Sequence, residues 1–267
     1  MLLSACSVAP SGNQRLAAAD EKAEVSGWQG ETFQAGQFLI RSYFPAKLKK
    51  AHILTIYIEG DGLAWLTRIK PSPDPTPIAQ LVLEMAISQP SGSAVYLGRP
   101  CQYTVSLDSG CRSVFWLDSR FSQEIIASMD RAVTVVKNRF QADLINLVGY
   151  SGGGAVASLL AARREDVNFL ITVAGNLDHQ SWSRIHRITP LGNSLNPADF
   201  SDRVRANRQF HFVGEDDHNI PPYLIREKIS RMPDRNNISV IEVHSYTHRC
   251  CWSAGWPYLW SKLPRND

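Results

Sequence analysis

The chain lacks the features that mark membrane-embedded, repetitive or nucleic-acid-binding proteins. No apolar run in its 267 residues reaches the length of about 18 that a membrane-spanning helix needs, and there is no internal repeat or low-complexity tract. Basic residues are scattered and the formal net charge is only +3, so no nucleic-acid surface is expected. With 44% hydrophobic and 20% charged residues, the composition is typical of a globular chain that buries a sizeable core.

Cysteine is also scarce, with five residues in the whole chain. Cys101 and Cys111 bracket a short loop that a disulfide could close, whereas Cys250 and Cys251 could pair with each other, pair with that loop or stay reduced. No Cys-x-x-Cys motif occurs, and adjacent cysteines are poorly spaced for tetrahedral ligation, so no metal or other cofactor is predicted. The even number of cysteines beyond Cys6 fits an exported protein better than a cytosolic one.

The first residues contain Leu-Ser-Ala-Cys, which ends at Cys6 and resembles the lipobox of bacterial lipoproteins. A full signal peptide also has a basic segment and an apolar core of about 7–15 residues, and this sequence has neither. We expect residues 1–30 to be a truncated lipoprotein-type signal remnant followed by a polar tether. The predicted location is a bacterial cell envelope, lipid-anchored through Cys6 or periplasmic. The alternative is an N-terminus with no targeting role.

The rest of the chain, residues 31–267, alternates between strand and helix patterns, which predicts a single α/β domain with a mostly parallel central sheet and helices on both faces. Strands are predicted at 38–44, 53–60, 93–98, 144–149, 169–175, 209–214 and 238–244, and helices at 75–89, 122–140, 153–165, 221–232 and 253–263. A polar, aromatic-dotted stretch at about 176–208 interrupts the alternation. In such sheets the loops at the carboxyl ends of the strands carry the functional site.

One of these loops reads Gly149-Tyr150-Ser151-Gly152-Gly153, which matches G-x-S-x-G between a predicted strand and a predicted helix. The glycines permit a sharp turn that exposes the serine hydroxyl, and the helix N-terminus behind it favours negative charge on a substrate oxygen. Ser151 is therefore the predicted nucleophile. A tight structural turn is the alternative.

A serine nucleophile needs a base and an orienting acid, and residues 214–221 (GEDDHNIP) follow a predicted strand. Together the two motifs resemble the α/β-hydrolase superfamily, in which the acid loop often reads G-x-x-D-x-x-[VI]-P. The resemblance implies the α/β-hydrolase fold and assigns Asp217 as the acid, with Glu215 and Asp216 as alternatives. It places the base after the last strand, which favours His248 over His244.

The resemblance also implies an oxyanion hole made by backbone N–H groups. One donor is Gly152, which follows the nucleophile. The other is Asp61, or its neighbour Gly62, in the Glu-Gly-Asp-Gly sequence where the family usually has His-Gly.

A wider resemblance covers the chain from about residue 33 to its end. YIEGDGLAW, YLGRPCQY, GYSGGGAVA, AGNLDHQSW, PLGNSLNP and CCW are similar to segments of a group of uncharacterised bacterial α/β-hydrolases that often carry lipoprotein signals. It implies that residues 176–208 form a short cap, and Tyr150, Trp65 and Trp182 are the predicted substrate-binding residues. The segment is too short for a large lid, which predicts a partly open site.

We therefore expect a serine hydrolase that cleaves carboxylic esters in a small-molecule acyl substrate, with no nucleic-acid partner. A peptidase, amidase or acyltransferase with the same triad is the first alternative. A catalytically inactive envelope binding protein on the same scaffold is the second.

Overall fold

The computed structural model describes residues 9–204, 206–232 and 234–264. Its strands are β1 (Trp28–Ala35), β2 (Phe38–Pro45), β3 (Ile53–Ile58), β4 (Ser93–Leu97), β5 (Leu144–Tyr150), β6 (Val167–Val173), β7 (Arg208–Gly214) and β8 (Ile238–Val243). Its helices are α1 (Gly12–Val25), α2 (Leu81–Ile87), α3 (Gln123–Arg139), α4 (Gly152–Ala161), α5 (His179–His186), α6 (Ser201–Val204), α7 (Pro222–Ser230) and α8 (Trp252–Trp260).

All eight strands form one sheet, in the order β1-β2-β4-β3-β5-β6-β7-β8. The pairs from β4 to β8 are parallel, while β2 runs antiparallel to both of its neighbours. The central strand β3 is almost wholly buried, as its nearly continuous apolar sequence predicts for a strand covered on both faces. The predicted architecture, a mostly parallel sheet with helices on both faces, is confirmed.

Two hydrophobic clusters lie on opposite faces of this sheet. One contains the apolar stripe of α3, including Met129, Val133 and Val136, together with α4. The other contains α1, α2 and α8, with Trp252 and Trp256 fully buried. Because helices cover both faces, the loops at the carboxyl edge are left as the accessible part of the central strands.

The N-terminal region differs from the predicted tether. Residues from Gly12 to Val25 form α1, which begins with a capping box between Ser11 and Gln14. Ala19 and Ala23 are buried against the domain, so this segment is part of the folded body. The predicted lipidation residue Cys6 lies outside the described residues. No helix in the described part of the chain is long and apolar enough to cross a membrane.

Two further regions bear on the predictions. The stretch expected to form a cap holds α5, a short 3₁₀ turn at Pro197–Phe200 and α6, between β6 and β7. The predicted helix at 75–89 is shorter, since its Pro-rich entry stays irregular and only Leu81–Ile87 is helical.

Of the cysteine pairings left open by the sequence, Cys101 is bonded to Cys111 and Cys250 to Cys251.

Candidate active site

Ser151 occupies a sharp turn between β5 and α4. Its backbone has φ +52° and ψ −119°, which L-residues adopt rarely and which lifts the side chain out of the strand direction. A Cβ at Gly149 would overlap the carbonyl of Gly153, so the chain can fold this tightly only with glycine there. The G-x-S-x-G sequence therefore encodes the turn that exposes the hydroxyl.

His248 and Asp217 extend from this hydroxyl in a hydrogen-bonded chain. His248 Nε2 lies 3.0 Å from Ser151 Oγ, and His248 Nδ1 lies 2.8 Å from Asp217 Oδ2. A carboxylate can only accept, so Nδ1 carries the proton and Nε2 presents its lone pair to the serine. Asp217 is fully buried and also accepts from the backbone N–H groups of Asn219 and Ile220, each at 2.8 Å.

The loop that carries His248 is held from two sides. The Tyr150 hydroxyl donates to the His248 carbonyl at 2.8 Å, and the Trp252 indole donates to the same carbonyl at 3.1 Å. The Tyr150 ring also lies against the imidazole, with centroids 5.4 Å apart. Tyr150, predicted to bind substrate, thus contacts the proposed base, and its hydroxyl is engaged in fixing the loop.

The alternative acid and base form a separate pair at the surface. His244 Nδ1 contacts Glu215 Oε2, and both side chains are exposed to solvent. Asp216 is exposed as well. The geometry favours Asp217 and His248 as the groups that act on Ser151.

The predicted oxyanion donors come from two loops that are in direct contact. A Cβ at Gly152 would overlap the carboxylate of Asp61, so the loop after β3 packs on the first residue of α4. Backbone N–H groups in the first turn of a helix have no intrahelical acceptor and are available to a ligand. The structure thus brings Asp61 and Gly152 together beside Ser151.

Two buried arginines hold the Asp61 side chain. Arg99 Nη1 lies 2.5 Å from Oδ1 and Arg120 Nη1 lies 2.7 Å from Oδ2. Arg99 also donates to the Arg120 carbonyl at 2.6 Å, and Arg120 Nε donates to the Leu117 carbonyl at 2.6 Å. Burial opposes ionisation of Asp61, but the charges of Arg120 and Arg99 outweigh it and lower its pKa to about 2. The Asp61 loop is therefore fixed before any substrate arrives.

A buried carboxyl, that of Glu59, lies at the start of the same loop. Glu59 accepts from the Gly60 backbone N–H at 2.8 Å and from the Tyr96 hydroxyl at 2.9 Å. Burial is the largest influence and raises the pKa of Glu59 to about 7, although these hydrogen bonds and the charge of Arg99 oppose the shift. Glu59 occupies the position at which α/β-hydrolases usually have histidine. Here its carboxylate accepts a hydrogen bond from the backbone of the loop.

Asn219 is a further residue at the site that sequence reasoning missed. Its side-chain amide lies 3.0 Å from His248 Nε2, the nitrogen that also faces Ser151. The backbone carbonyl of Asn219 accepts from the Trp182 indole at 3.0 Å and contacts His186 Nε2 at 2.8 Å. Asn219 therefore connects helix α5 to Asp217 and His248. Its only sequence signal is its place two residues after Asp217.

Of the two other residues predicted to bind substrate, one contacts the site and one lies on an exposed turn. Trp182, predicted to bind substrate, reaches the site through its hydrogen bond to Asn219. Trp65 lies on an exposed turn after Gly62 and pairs through its backbone with Pro71. Among the described residues, no group of three or more His, Cys, Asp or Glu side chains is arranged to hold a metal ion.

Comparison with known proteins gives a result at the level of the fold. No protein-family model matches this chain, and no curated protein matches it. A solved α/β serine hydrolase homologue from Coxiella burnetii superposes with a TM-score of 0.60 at 15% identity, over 89% of this chain and 96% of the other. This chain has the α/β-hydrolase fold.

Two other solved structures are similar to it. An esterase from Pyrococcus furiosus has a TM-score of 0.59 at 10% identity, over 90% of this chain and 91% of the other. A serine hydrolase without a lid from Xanthomonas campestris has a TM-score of 0.56 at 12% identity, over 90% and 97%. The predicted fold class is confirmed, and the structural neighbours are serine hydrolases and esterases.

Proposed function

We propose that this protein is a serine hydrolase that cleaves carboxylic esters. The observation that carries the proposal is the hydrogen-bonded chain from Ser151 through His248 to Asp217, with distances of 3.0 and 2.8 Å. These distances are in the range for a nucleophile and base in contact, with the base oriented by a third group. The fold, shared with serine hydrolases and esterases, adds independent support.

The geometry specifies the role of each group. Ser151 Oγ attacks the ester carbonyl while His248 Nε2 takes its proton, and Asp217 stabilises the imidazolium that results. The carbonyl oxygen gains negative charge near the backbone N–H groups of Gly152 and Asp61. His248 then gives the proton to the leaving alcohol, and water resolves the acyl-enzyme by the same steps in reverse.

Two considerations favour an ester over an amide as the substrate. An alcohol is a better leaving group than an amine, and a site open to solvent supplies water readily to the acyl-enzyme. The described cap consists of short elements between β6 and β7, which supports an open site. Peptidase, amidase and acyltransferase activities use the same triad and are the alternatives to test.

The test is hydrolysis of p-nitrophenyl esters of increasing acyl length, compared with the matched p-nitroanilides. We expect release of nitrophenol from at least the short esters, little release of nitroaniline, and no activity above background for Ser151→Ala. Transfer to an added alcohol would identify an acyltransferase. A folded wild-type protein that equals Ser151→Ala on every ester would contradict the proposal and leave a binding protein on this scaffold.

We also propose an extracytoplasmic location. The Cys101–Cys111 disulfide supports it, because such bonds persist mainly in oxidising compartments. Membrane attachment through Cys6 stays a prediction, and intact-mass analysis of the protein from a bacterial host would detect the added acyl chains.

A further inference from the structure

The turn that follows the Asp61 loop exposes a group of apolar side chains. Residues 65–70 read WLTRIK, and we call this segment the apolar turn. Ile69 is 89% exposed, while Trp65 and Leu66 are each 42% exposed. Exposed apolar side chains that are grouped mark protein or membrane interaction sites more often than single exposed apolar side chains do.

Hydrogen bonds hold this segment in its projecting shape. The Leu66 backbone N–H donates to the Lys70 carbonyl at 2.9 Å, and the Lys70 N–H donates to the Thr67 hydroxyl at 3.1 Å. At its base, the Ser72 N–H donates to the Ala64 carbonyl at 3.0 Å. These contacts close the segment between Ala64 and Ser72 as a hairpin.

The base of the hairpin is itself tied to the domain. The Leu63 N–H donates to the Pro75 carbonyl at 3.0 Å, and the Trp116 indole donates to the Ser72 carbonyl at 3.0 Å. A rigid support lowers the entropy that would be lost when the tip is ordered at an interface.

The charge of the turn is of one sign. Arg68 and Lys70 flank Ile69, and no acidic residue occurs between Asp61 and Asp74. Asp61 is paired with arginines, and Asp74 lies 3.5 Å from the Arg15 guanidinium. The turn therefore presents apolar side chains within a local field that attracts anions.

We propose that the apolar turn docks this protein on an anionic phospholipid surface, with Ile69 and Leu66 entering the interface and Arg68 and Lys70 contacting headgroups. Apolar tips flanked by basic side chains gain from both apolar burial and attraction to acidic lipids. Trp65 at the base suits the headgroup level, where amphipathic rings are favoured. The turn begins four residues after Asp61, so docking brings the carboxyl edge of the sheet toward the lipid.

The positive charge of the apolar turn favours an anionic lipid surface over a second copy of the chain as the partner. Two identical turns in contact would oppose four cationic side chains, whereas an acidic bilayer compensates them. The docking is separate from the proposed hydrolysis. In the described part of the structure, no hydrogen bond or ion pair joins a side chain of the apolar turn to Ser151, His248 or Asp217.

The experiment measures vesicle binding by the full chain carrying Ser151→Ala, so that no lipid is cleaved. Co-sedimentation is compared for vesicles of neutral phosphatidylcholine alone and vesicles with added phosphatidylglycerol. We expect binding to the acidic vesicles that weakens at high salt. Arg68→Gln with Lys70→Gln should lower it about 25-fold, at about fivefold for each charge. Leu66→Ser with Ile69→Ser should lower it at least about tenfold.

Val25→Ser is the matched control. Val25 is 79% exposed at the end of α1 but has acidic neighbours, so its replacement should leave vesicle binding unchanged. The proposal is overturned if the protein binds neither kind of vesicle, or if the turn variants bind as well as Val25→Ser. It is also overturned if sedimentation shows a dimer that Leu66→Ser with Ile69→Ser converts to a monomer.

Because the probe already lacks Ser151, these results do not depend on catalysis. Turnover of a soluble short-chain ester by Leu66→Ser with Ile69→Ser, made in the wild-type background, should match the wild type. Absence of esterase activity would contradict the proposed function and leave the vesicle result intact.

Discussion

Two histidine–carboxylate pairs follow β7 and β8 within a few residues of each other. In one, His248 is 18% exposed and Asp217 is 0% exposed; in the other, His244 is 87% exposed and Glu215 is 47% exposed. Both join imidazole Nδ1 to a carboxylate oxygen. Only the first pair has its other ring nitrogen against a serine hydroxyl.

The difference lies in what surrounds each pair. Asp217 is fixed by two backbone N–H groups, and the His248 carbonyl is held by Tyr150 and Trp252. The exposed pair is screened by water and gains little from its charges. Contact between a histidine and a carboxylate therefore does not by itself identify a catalytic pair, and burial with a fixed geometry distinguishes the proposed catalytic pair from the exposed one.

The largest expected effect comes from removing each histidine in turn. His248→Ala should lower kcat on a p-nitrophenyl ester on the order of 10⁶-fold, because the nucleophile loses its base. His244→Ala should stay within about twofold of wild type, since its ring faces solvent. Steady-state kinetics of the two purified variants check this. Equal losses would remove the distinction between the pairs.

The carboxylates should differ in the same direction. Asp217→Asn should lower kcat on the order of 10⁴-fold, because an amide N–H opposite Nδ1 favours the imidazole tautomer that protonates Nε2. Glu215→Gln should change kcat by less than about twofold. The pH profile of kcat adds a readout, and a Glu215→Gln profile displaced from wild type would contradict the assignment.

A smaller effect is expected at Asp61, whose loop supplies one proposed oxyanion donor. Asp61→Asn keeps the side-chain shape but weakens its bonds to Arg99 and Arg120, so the backbone N–H is less well placed. We expect kcat to fall about 100-fold with little change in KM. A change confined to KM would show that the loop acts in substrate binding instead.

The smallest effect on the catalytic rate is expected at Glu59. The burial of its carboxyl is tested instead by the pH dependence of the free energy of unfolding. Its pKa rises from 4.5 to about 7 on folding, so the native state binds the extra proton and stability falls as pH rises through this range. The loss is about 3 kcal/mol above pH 7. Urea unfolding at pH 5 and pH 8 should show this loss in wild type and a much smaller one in Glu59→Gln. An equal loss in both would contradict the assignment.

The sequence predicted the fold class and the position of Ser151 because both depend on local signals. Strand and helix periods alternate along the chain, and Gly149 and Gly153 flank the serine as a sharp turn requires. The preference for Asp217 and His248 came from spacing in a resembling family. Burial, the property that separates them from Glu215 and His244, could be seen only in the folded chain.

What the sequence missed depends on distant contacts. Arg120 reaches Asp61 across 59 residues and His248 reaches Asn219 across 29, and no local pattern encodes such pairs. The segment that forms α1 has a usable signal, the Ser11–Gln14 capping box, but its polar, small-residue composition predicts a tether. Tertiary packing of Ala19 and Ala23 against the domain stabilises it.

The central claim is that His248 and Asp217 activate Ser151. Intact-mass analysis after brief exposure to a fluorophosphonate tests it most directly, since only an activated serine reacts quickly. The account predicts one adduct on wild type, mapped by peptide sequencing to Ser151, retained in His244→Ala and lost in Ser151→Ala and His248→Ala. A folded wild-type protein with no adduct, or with its adduct on another residue, would contradict it.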